Sequence, residues 1–488
     1  MKKKNIFLYL LFIIIFIFVS CEKPEEDNDS YMLSLKFLGD ISEPLALNNL
    51  NNFEDISLIE HRGNKIQAIK LEKLINTLQP HTEKFEILFN SYDDFSVIIN
   101  NDNLEESYLS WNNKNGWESI NKNHPVSSNI KNIKEIIIIS SNPSLENNFN
   151  IIQPGKNLMS LSVGQMYKDG YSLISTFRGK STFNSNGQDL EAITFYLNKK
   201  VDFEKYISFN NRNRILLIGN KGEVELLSQN GIFILGKNNI NYMIGNDLTI
   251  ENVKGLVFNA PEKLITNVYK DTKELLLKEE RVLLILIDGL GYHQYEYAKN
   301  NEYISFLDSL PEPERIISAF PPVTPVNFSA SLTGELPHIN GVYQRGIRQT
   351  HLPTIFDFCK ENKKESAAVI GPINTIELEI SPVFSLDLNN DGSTDDEKTK
   401  NALNLFSNNY DLIFVHYKDV DIAGHNFGDF DKKTFEEIKK IDGYVKKLVE
   451  NWDGRVIIYS DHGMHKTDDG GSHGILTHED MFTPYWIF

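Results

Sequence analysis

Four uninterrupted apolar runs in the C-terminal part of the chain constrain its fold more than any other feature. They are Val282 to Ile287, Ala367 to Ile370, Leu412 to Tyr417 and Val456 to Tyr459. A strand that is apolar on both faces needs a sheet covered on both sides. Helical patterns fall between the runs, as at Thr354 to Asn362 and Phe435 to Asn451. Alternating strand and helix predicts an α/β, doubly wound sheet, in which ligands gather at the carboxyl ends of the strands. This texture begins at about residue 276, so one domain is expected over 276–488.

Polar residues able to bind metal follow three of the runs. Asp288 follows the first, Asp421 and His425 lie just after the third, and Asp461-His462 end the fourth. His473 comes next, in the glycine-rich stretch Gly470-Gly471-Ser472-His473-Gly474. Each alone has an ordinary explanation. An Asp at a strand end caps a turn or helix, an Asp and a His four apart form a helix pair, and Asp461-His462-Gly463 is a polar turn. Chance rarely places all of them after buried strands in one domain, and the joint pattern points to a metal site. A mixture of carboxylates and imidazoles suits borderline divalent ions such as zinc or manganese.

Between the first run and the rest lies Phe320-Pro321-Pro322-Val323-Thr324-Pro325-Val326-Asn327, leading into a stretch of small residues. This reads as a proline-stiffened turn entering a helix. A hydroxyl held there lies near a helix N-terminus, where backbone donors and the dipole favour an anion. From the residues alone Thr324 is either a simple cap or, if a metal lowers its pKa, a nucleophile.

Taken together, these motifs resemble the alkaline phosphatase superfamily over residues 281–488, and within it the type I phosphodiesterase/nucleotide pyrophosphatase group. The resemblance rests on an Asp after the first strand, Thr-x-x-Asn, Asp-x-x-x-His, Asp-His-Gly and a late His-Gly. It implies an alkaline-phosphatase-like fold and two metal ions, zinc or manganese. Asp288, Thr324, Asp461 and His462 would hold one, and Asp421, His425 and His473 the other. It further implies that Thr324 attacks phosphorus in line and that the Asn327 amide binds a non-bridging oxygen. One departure is Pro337-His338-Ile339-Asn340-Gly341, where the group shows Pro-x-x-His-Gly. With Phe488 following soon after His473, an extension that shapes a nucleotide pocket is not expected.

Residues 31–275 read as a β-rich region without a catalytic signature. Phe85 to Phe89, Glu135 to Ile139, Ile215 to Ile218 and Ile232 to Leu235 are short strands between turn-rich stretches. Gly63 to Ile69 and Gly187 to Ile193 share a pattern that suggests two small related units. The first unit also resembles the small β-rich fold of molybdopterin-binding oxidoreductase domains. It lacks the cysteine that would ligate such a cofactor, so the resemblance implies no activity.

Ahead of this region, residues 1–20 read as a lipoprotein signal peptide, with Lys2 to Lys4 followed by the apolar run Ile6 to Val19. That run is shorter than the roughly twenty residues of a membrane span. It ends at Ser20-Cys21, which resembles a bacterial lipoprotein cleavage site. Cys21 would then carry lipid, and the acidic segment 21–30 would be a tether. The competing reading is an uncleaved anchor helix. Either way the chain is expected to be exported and held at a bacterial membrane, at the cell surface or in the periplasm. The other cysteine, Cys359, lies on an apolar helical pattern and reads as a structural thiol.

A net charge of −18 without a basic stripe argues against a nucleic-acid polymer as partner. Bound cations can still draw a small anionic phosphate ester to an acidic chain. A second metal loop is expected where Asp387, Asn389, Asp391, Ser393 and Asp395 alternate around Gly392, as in the first half of an EF-hand calcium loop. Its twelfth position is Lys398, so Asp396 or Glu397 would have to substitute, and one structural calcium ion is expected.

The leading functional expectation is a lipid-anchored phosphodiesterase working through a phospho-threonine intermediate. A phosphomonoesterase or phosphonate hydrolase would use the same machinery. A sulfatase would need a Cys/Ser-x-Pro-x-Arg turn that this sequence lacks, and phosphoethanolamine transferases usually carry several membrane helices. From another class, a non-catalytic surface-binding lipoprotein would have lost its ligands, whereas here each is present.

Overall fold

The computed structural model describes residues 34–48, 50, 53, 55–208 and 214–488. The signal peptide, Cys21 and the tether lie outside the described residues. Among the described residues no helix is long and apolar enough to cross a membrane. The chain divides into two compact units, Met1–Ser141 and Asn142–Phe488. That division falls inside the region 31–275, whose second half therefore belongs to the same unit as residues 276–488.

Unit one is built on a five-stranded sheet containing β1 (Leu35–Gly39), β2 (Ala46–Leu47), β3 (Phe85–Ser91), β4 (Ser96–Asn100) and β5 (Ile133–Ser140), in the order β2-β1-β5-β3-β4. Only the β1–β5 pairing is parallel. A four-stranded antiparallel sheet, Ser57–His61, Asn64–Lys70, Ser107–Asn112 and Gly116–Asn121, completes it.

The second unit opens with the same wiring. Strands β6 (Phe149–Ile152), β7 (Met159–Leu161), β8 (Ile215–Gly219), β9 (Val224–Leu226) and β10 (Val253–Phe258) form a sheet ordered β7-β6-β10-β8-β9. Its one parallel pairing is again first strand with last, β6 with β10. The two sequence patterns noted above occupy matching places: Gly63 turns the hairpin Ser57–His61/Asn64–Lys70, and Gly187 turns Ser172–Ser185/Gln188–Lys200. The two sheets thus share one strand order.

Residues 276–488 form a seven-stranded mixed sheet. Its strands are β11 (Val282–Ile287), β12 (Glu314–Ile317), β13 (Ser366–Ile370), β14 (Val383–Phe384), β15 (Leu412–Tyr417), β16 (Arg455–Tyr459) and β17 (Phe482–Ile487), ordered β12-β17-β16-β11-β15-β13-β14. Strands β16, β11, β15, β13 and β14 run parallel, and β17 closes one side antiparallel.

Alternate residues of the central strand enter opposite cores. Val282, Leu284 and Leu286 pack with α1 (Thr324–Thr333) on one face, and Leu283, Ile285 and Ile287 with α4 (Lys432–Asn451) on the other. This two-sided burial is why the runs contain no polar alternation. Between β14 and β15 lies α2 (Asp395–Leu405), and α3 (Asp419–Phe427) follows β15. Cys359 is buried in the helix Ile355–Glu361, where burial pushes its thiol up to about 12. It is suited to packing and not to nucleophilic chemistry.

Candidate active site

The parallel strands deliver their terminal residues to one edge of the sheet. Asp288 directly follows β11, Asp461 and His462 follow β16 by one residue, and Asp421 and His425 stand on α3 just beyond β15. Gly289 makes the close approach possible. It lies at φ +79°, and a Cβ there would sit 2.8 Å from the Asp421 Cα.

Two groups of candidate ligands result: Asp288, Asp461 and His462 in one, and Asp421, His425 and His473 in the other. Within each, one ligand atom per residue lies within 4.8 Å of the others. In the first group, His462 Nε2 lies 3.4 Å from both Asp288 Oδ1 and Asp461 Oδ2. In the second, Asp421 Oδ1 lies 3.4 Å from His425 Nε2 and 3.5 Å from His473 Nε2. The groups adjoin, since the His462 and His473 rings stack at 3.7 Å between centroids.

Thr324 opens α1 as its first residue, and Val323 precedes it in extended conformation. Its Oγ1 is 3.2 Å from His462 Nε2 and 3.4 Å from Asp288 Oδ1. The hydroxyl therefore faces the first group from a helix N-terminus.

Three features fit these residues to divalent cations. First, each histidine's Nδ1 faces a backbone carbonyl: His425 with Gly471 O at 3.0 Å, His462 with Gly463 O at 3.0 Å and His473 with Pro322 O at 2.8 Å. A carbonyl can only accept, so the proton sits on Nδ1 and the Nε2 lone pair points into the cluster, the usual tautomer for a ligand. Second, Asp461 Oδ2 and Asp421 Oδ1 are buried without a hydrogen-bond donor. A buried, unpaired carboxylate oxygen is costly unless a cation meets it.

Third, the cluster's electrostatics are unbalanced. Burial, then repulsion from Asp288 and Asp421, raises the Asp461 pKa well above the usual carboxylate range. Burial and then Asp288 push Asp421 up to about 7. Burial, with His462 beside it, holds His473 down to about 2, keeping its ring neutral. Burial opposes the charge of Asp288 most, but the hydrogen bond from His416 and the charges of His416, His462 and Lys418 together outweigh it and keep that carboxylate ionised.

Several contributors gave no signal in the sequence. His416, inside the apolar run of β15, donates Nε2–H to Asp288 Oδ2 at 2.9 Å and so fixes that ligand. Asp480, fully buried, accepts the N–H groups of Gly474 at 2.9 Å and Ile475 at 3.1 Å, holding the loop that carries His473. Arg345 places Nη2 3.2 Å from His473 Nε2 and 3.3 Å from His473 O, a positive charge at the rim of the second group.

Two residues make contacts other than those the sequence led one to expect. Asn327 is wholly buried and faces its own turn: Oδ1 accepts from Ala319 N at 2.6 Å, and Nδ2 donates to Ala319 O at 3.1 Å with Pro321 O and Val323 O at 3.4 Å. The amide holds the turn that presents Thr324, leaving no donor for a phosphoryl oxygen. In the acidic loop, Asp395 points away from its expected partners. It is buried against Lys398 at 2.6 Å and accepts the N–H groups of Lys418 and Asp419, each at 3.0 Å. Asp387, Asn389, Asp391 and Ser393 stay on the loop between β14 and α2.

A cavity of about 360 Å³ adjoins the site. Phe320, Pro321 and Gly474, neighbours of the Thr324 turn and of His473, line one side, and Asn148, Lys221 and Lys254, in and around the sheet of β6 to β10, line another. Burial lowers the Lys254 pKa, and its Nζ donates to Glu146 O at 3.1 Å.

Such a sheet, with paired carboxylate–imidazole groups and a helix-borne hydroxyl at its edge, is alkaline-phosphatase-like. More specifically, residues 372–483 match the model of the type I phosphodiesterase / nucleotide pyrophosphatase family. The match takes in Asp421, His425, Asp461, His462 and His473.

Among curated relatives, the chain is 28% identical over 253 residues to a 2,3-bisphosphoglycerate-independent phosphoglycerate mutase of Pyrobaculum islandicum, covering 45% of this chain and 57% of that protein. It is 28% identical over 82 residues to GPI ethanolamine phosphate transferase 3 of Schizosaccharomyces pombe, covering 16% of this chain and 9% of that protein. Both matches thus span less than two thirds of the relative. A solved structure, murine ectonucleotide pyrophosphatase / phosphodiesterase 5, is 16% identical with a TM-score of 0.33, covering 39% of this chain and 58% of that one.

Proposed function

We propose that this chain is a metal-dependent hydrolase of phosphate esters, a phosphodiesterase, exported and anchored to a bacterial membrane through lipid on Cys21. The observation that carries the catalytic reading is the pair of adjoining ligand groups with the Thr324 hydroxyl within 3.4 Å of the first. Two divalent cations, zinc or manganese, held by Asp288, Asp461, His462 and Thr324 and by Asp421, His425 and His473, would supply Lewis-acid stabilisation of the entering and leaving oxygens.

The chain's own residues supply the rest. Thr324 Oγ1 gives up its proton to solvent and forms a bond to phosphorus as the bond to the leaving oxygen breaks, and that oxygen takes a proton from water. The resulting phospho-threonine is then cleaved by water, which restores the hydroxyl. The α1 N-terminus favours the negative charge gathered there. Arg345 takes the part first expected of Asn327 and donates to a non-bridging phosphoryl oxygen. The remainder of the substrate lies in the adjoining cavity, where Lys221 and Lys254 favour an anionic or polar group.

The test is hydrolysis of bis(p-nitrophenyl) phosphate against p-nitrophenyl phosphate, with and without chelator. Faster, chelator-sensitive cleavage of the diester is expected. Preference for the monoester makes the protein a phosphatase, and no cleavage of either by metal-loaded protein favours a non-catalytic binding lipoprotein.

A further inference from the structure

The loop between β14 and α2 carries carboxylates and an amide that the catalytic reading leaves unused. Asn390 at φ +61° and Gly392 at φ +89° fold it tightly. The Asn389 amide Nδ2 lies 3.2 Å from Asp391 Oδ2 and 3.1 Å from Asp396 Oδ2, which brings three side chains to one point. Glu397 joins them from the first turn of α2: its Oε1 accepts Leu388 N–H at 2.9 Å.

Charge density alone does not make a site, but Glu397 adds an independent sign. It is only 7% exposed, and its Oε2 has no hydrogen-bond partner. Asp396 Oδ1 beside it is likewise buried and unpaired. Burial and then Glu397 raise the Asp396 pKa, as two carboxylates without a counter-ion require. Lys398, which occupies the twelfth position of the loop, does not neutralise them, because it is buried against Asp395.

Hard oxygen donors alternating around a glycine turn suit calcium, which accepts six to eight oxygens with flexible geometry. We propose that Asp387, Asn389, Asp391, Asp396 and Glu397 bind one calcium ion, and that this ion steadies the helix bearing Asp421 and His425. Asp396 and Glu397 replace Ser393 and Asp395 in the set expected from sequence, and Asp395 becomes the link. Its carboxylate caps the start of α3 through the N–H groups of Lys418 and Asp419, and Ser393 Oγ donates to the Asp419 carboxylate. Asp421 lies two residues further along the same helix.

The inference stands apart from the catalytic reading, because calcium binding is measured without turnover. Calorimetric titration of the full, zinc-loaded chain with calcium is expected to show one site, absent in Asp391→Asn and in Glu397→Gln. Asp391 is exposed, so its variant is expected to fold even if the buried change at 397 does not. Calcium is also expected to raise the melting temperature and to slow hydrogen exchange across 419–427 in the wild type but not in Asp391→Asn. Absence of a calcium site in the wild type, or its survival in a folded Asp391→Asn, overturns the site. Unchanged exchange across 419–427 on calcium binding overturns the link to α3.

Discussion

The two ligand groups share chemistry but differ in how the fold holds them. Asp288, Asp461 and His462 have side chains with no solvent exposure and sit at the ends of adjacent central strands. Asp421, His425 and His473 are carried by a helix and a glycine-rich loop, and the His425 side chain is 39% exposed. The first group inherits the rigidity of the sheet, whereas the second depends on how α3 and the loop behind His473 are braced. Ligands held by packed elements keep their geometry, and those on loops depend on supporting hydrogen bonds. On the proposed function the first group would be the firmer anchor beside Thr324, and the second would be the one that empties.

The sharpest way to break this comparison acts on the hydroxyl that belongs to the first group. Thr324→Ala is expected to lower turnover on the order of 10⁴-fold or more while metal content stays near wild type. Retained turnover takes the threonine out of its role.

A smaller effect distinguishes the groups themselves. His425→Ala is expected to weaken one ion by more than the roughly 10–100-fold that loss of an outer-shell partner costs, and to leave the other in place after dialysis. Asp461→Asn is expected to lose the ion nearest Thr324, with the larger loss of activity. Elemental analysis of the two variants checks this, and equal losses from both would erase the distinction.

The smallest effect concerns protein stripped of metal. Asp421 and Asp461 have folded pKa values raised above the unfolded value of about 4. Their contribution to stability is therefore fully present below that value and is lost as pH rises through about 7 for Asp421. The stripped protein is expected to melt several degrees lower at pH 8 than at pH 5, and metal restores the loss. Melting curves with and without chelator measure it, and a stripped protein that is more stable at pH 8 contradicts the assignment of the charges.

The difference between the groups also marks what could be read from sequence. The strands were legible because two-sided burial writes uninterrupted apolar runs, and the acids at their ends stood out against them. The turn at Thr324 was legible through its prolines. Asn327 was not, because a Thr-x-x-Asn spacing does not reveal whether the amide faces the site or its own backbone. His416 was hidden inside a run that reads as core, and Arg345 in a loop with no periodicity. Asp395 sat in register with the calcium pattern, yet the cap it makes on α3 is a contact of long sequence separation that spacing cannot reveal. In the β-rich region, two similar seven-residue patterns pointed to a repeat, but the shared strand order became visible only in the pairing.

The central claim is that two cations sit side by side at the sheet edge, one within each group. Anomalous diffraction from zinc-loaded crystals at the metal edge tests it directly. The account predicts two peaks about 3.5–4 Å apart, one against Asp288, Asp461 and His462 and the other against Asp421, His425 and His473. No peak, or a single peak bonded to neither group, would contradict it.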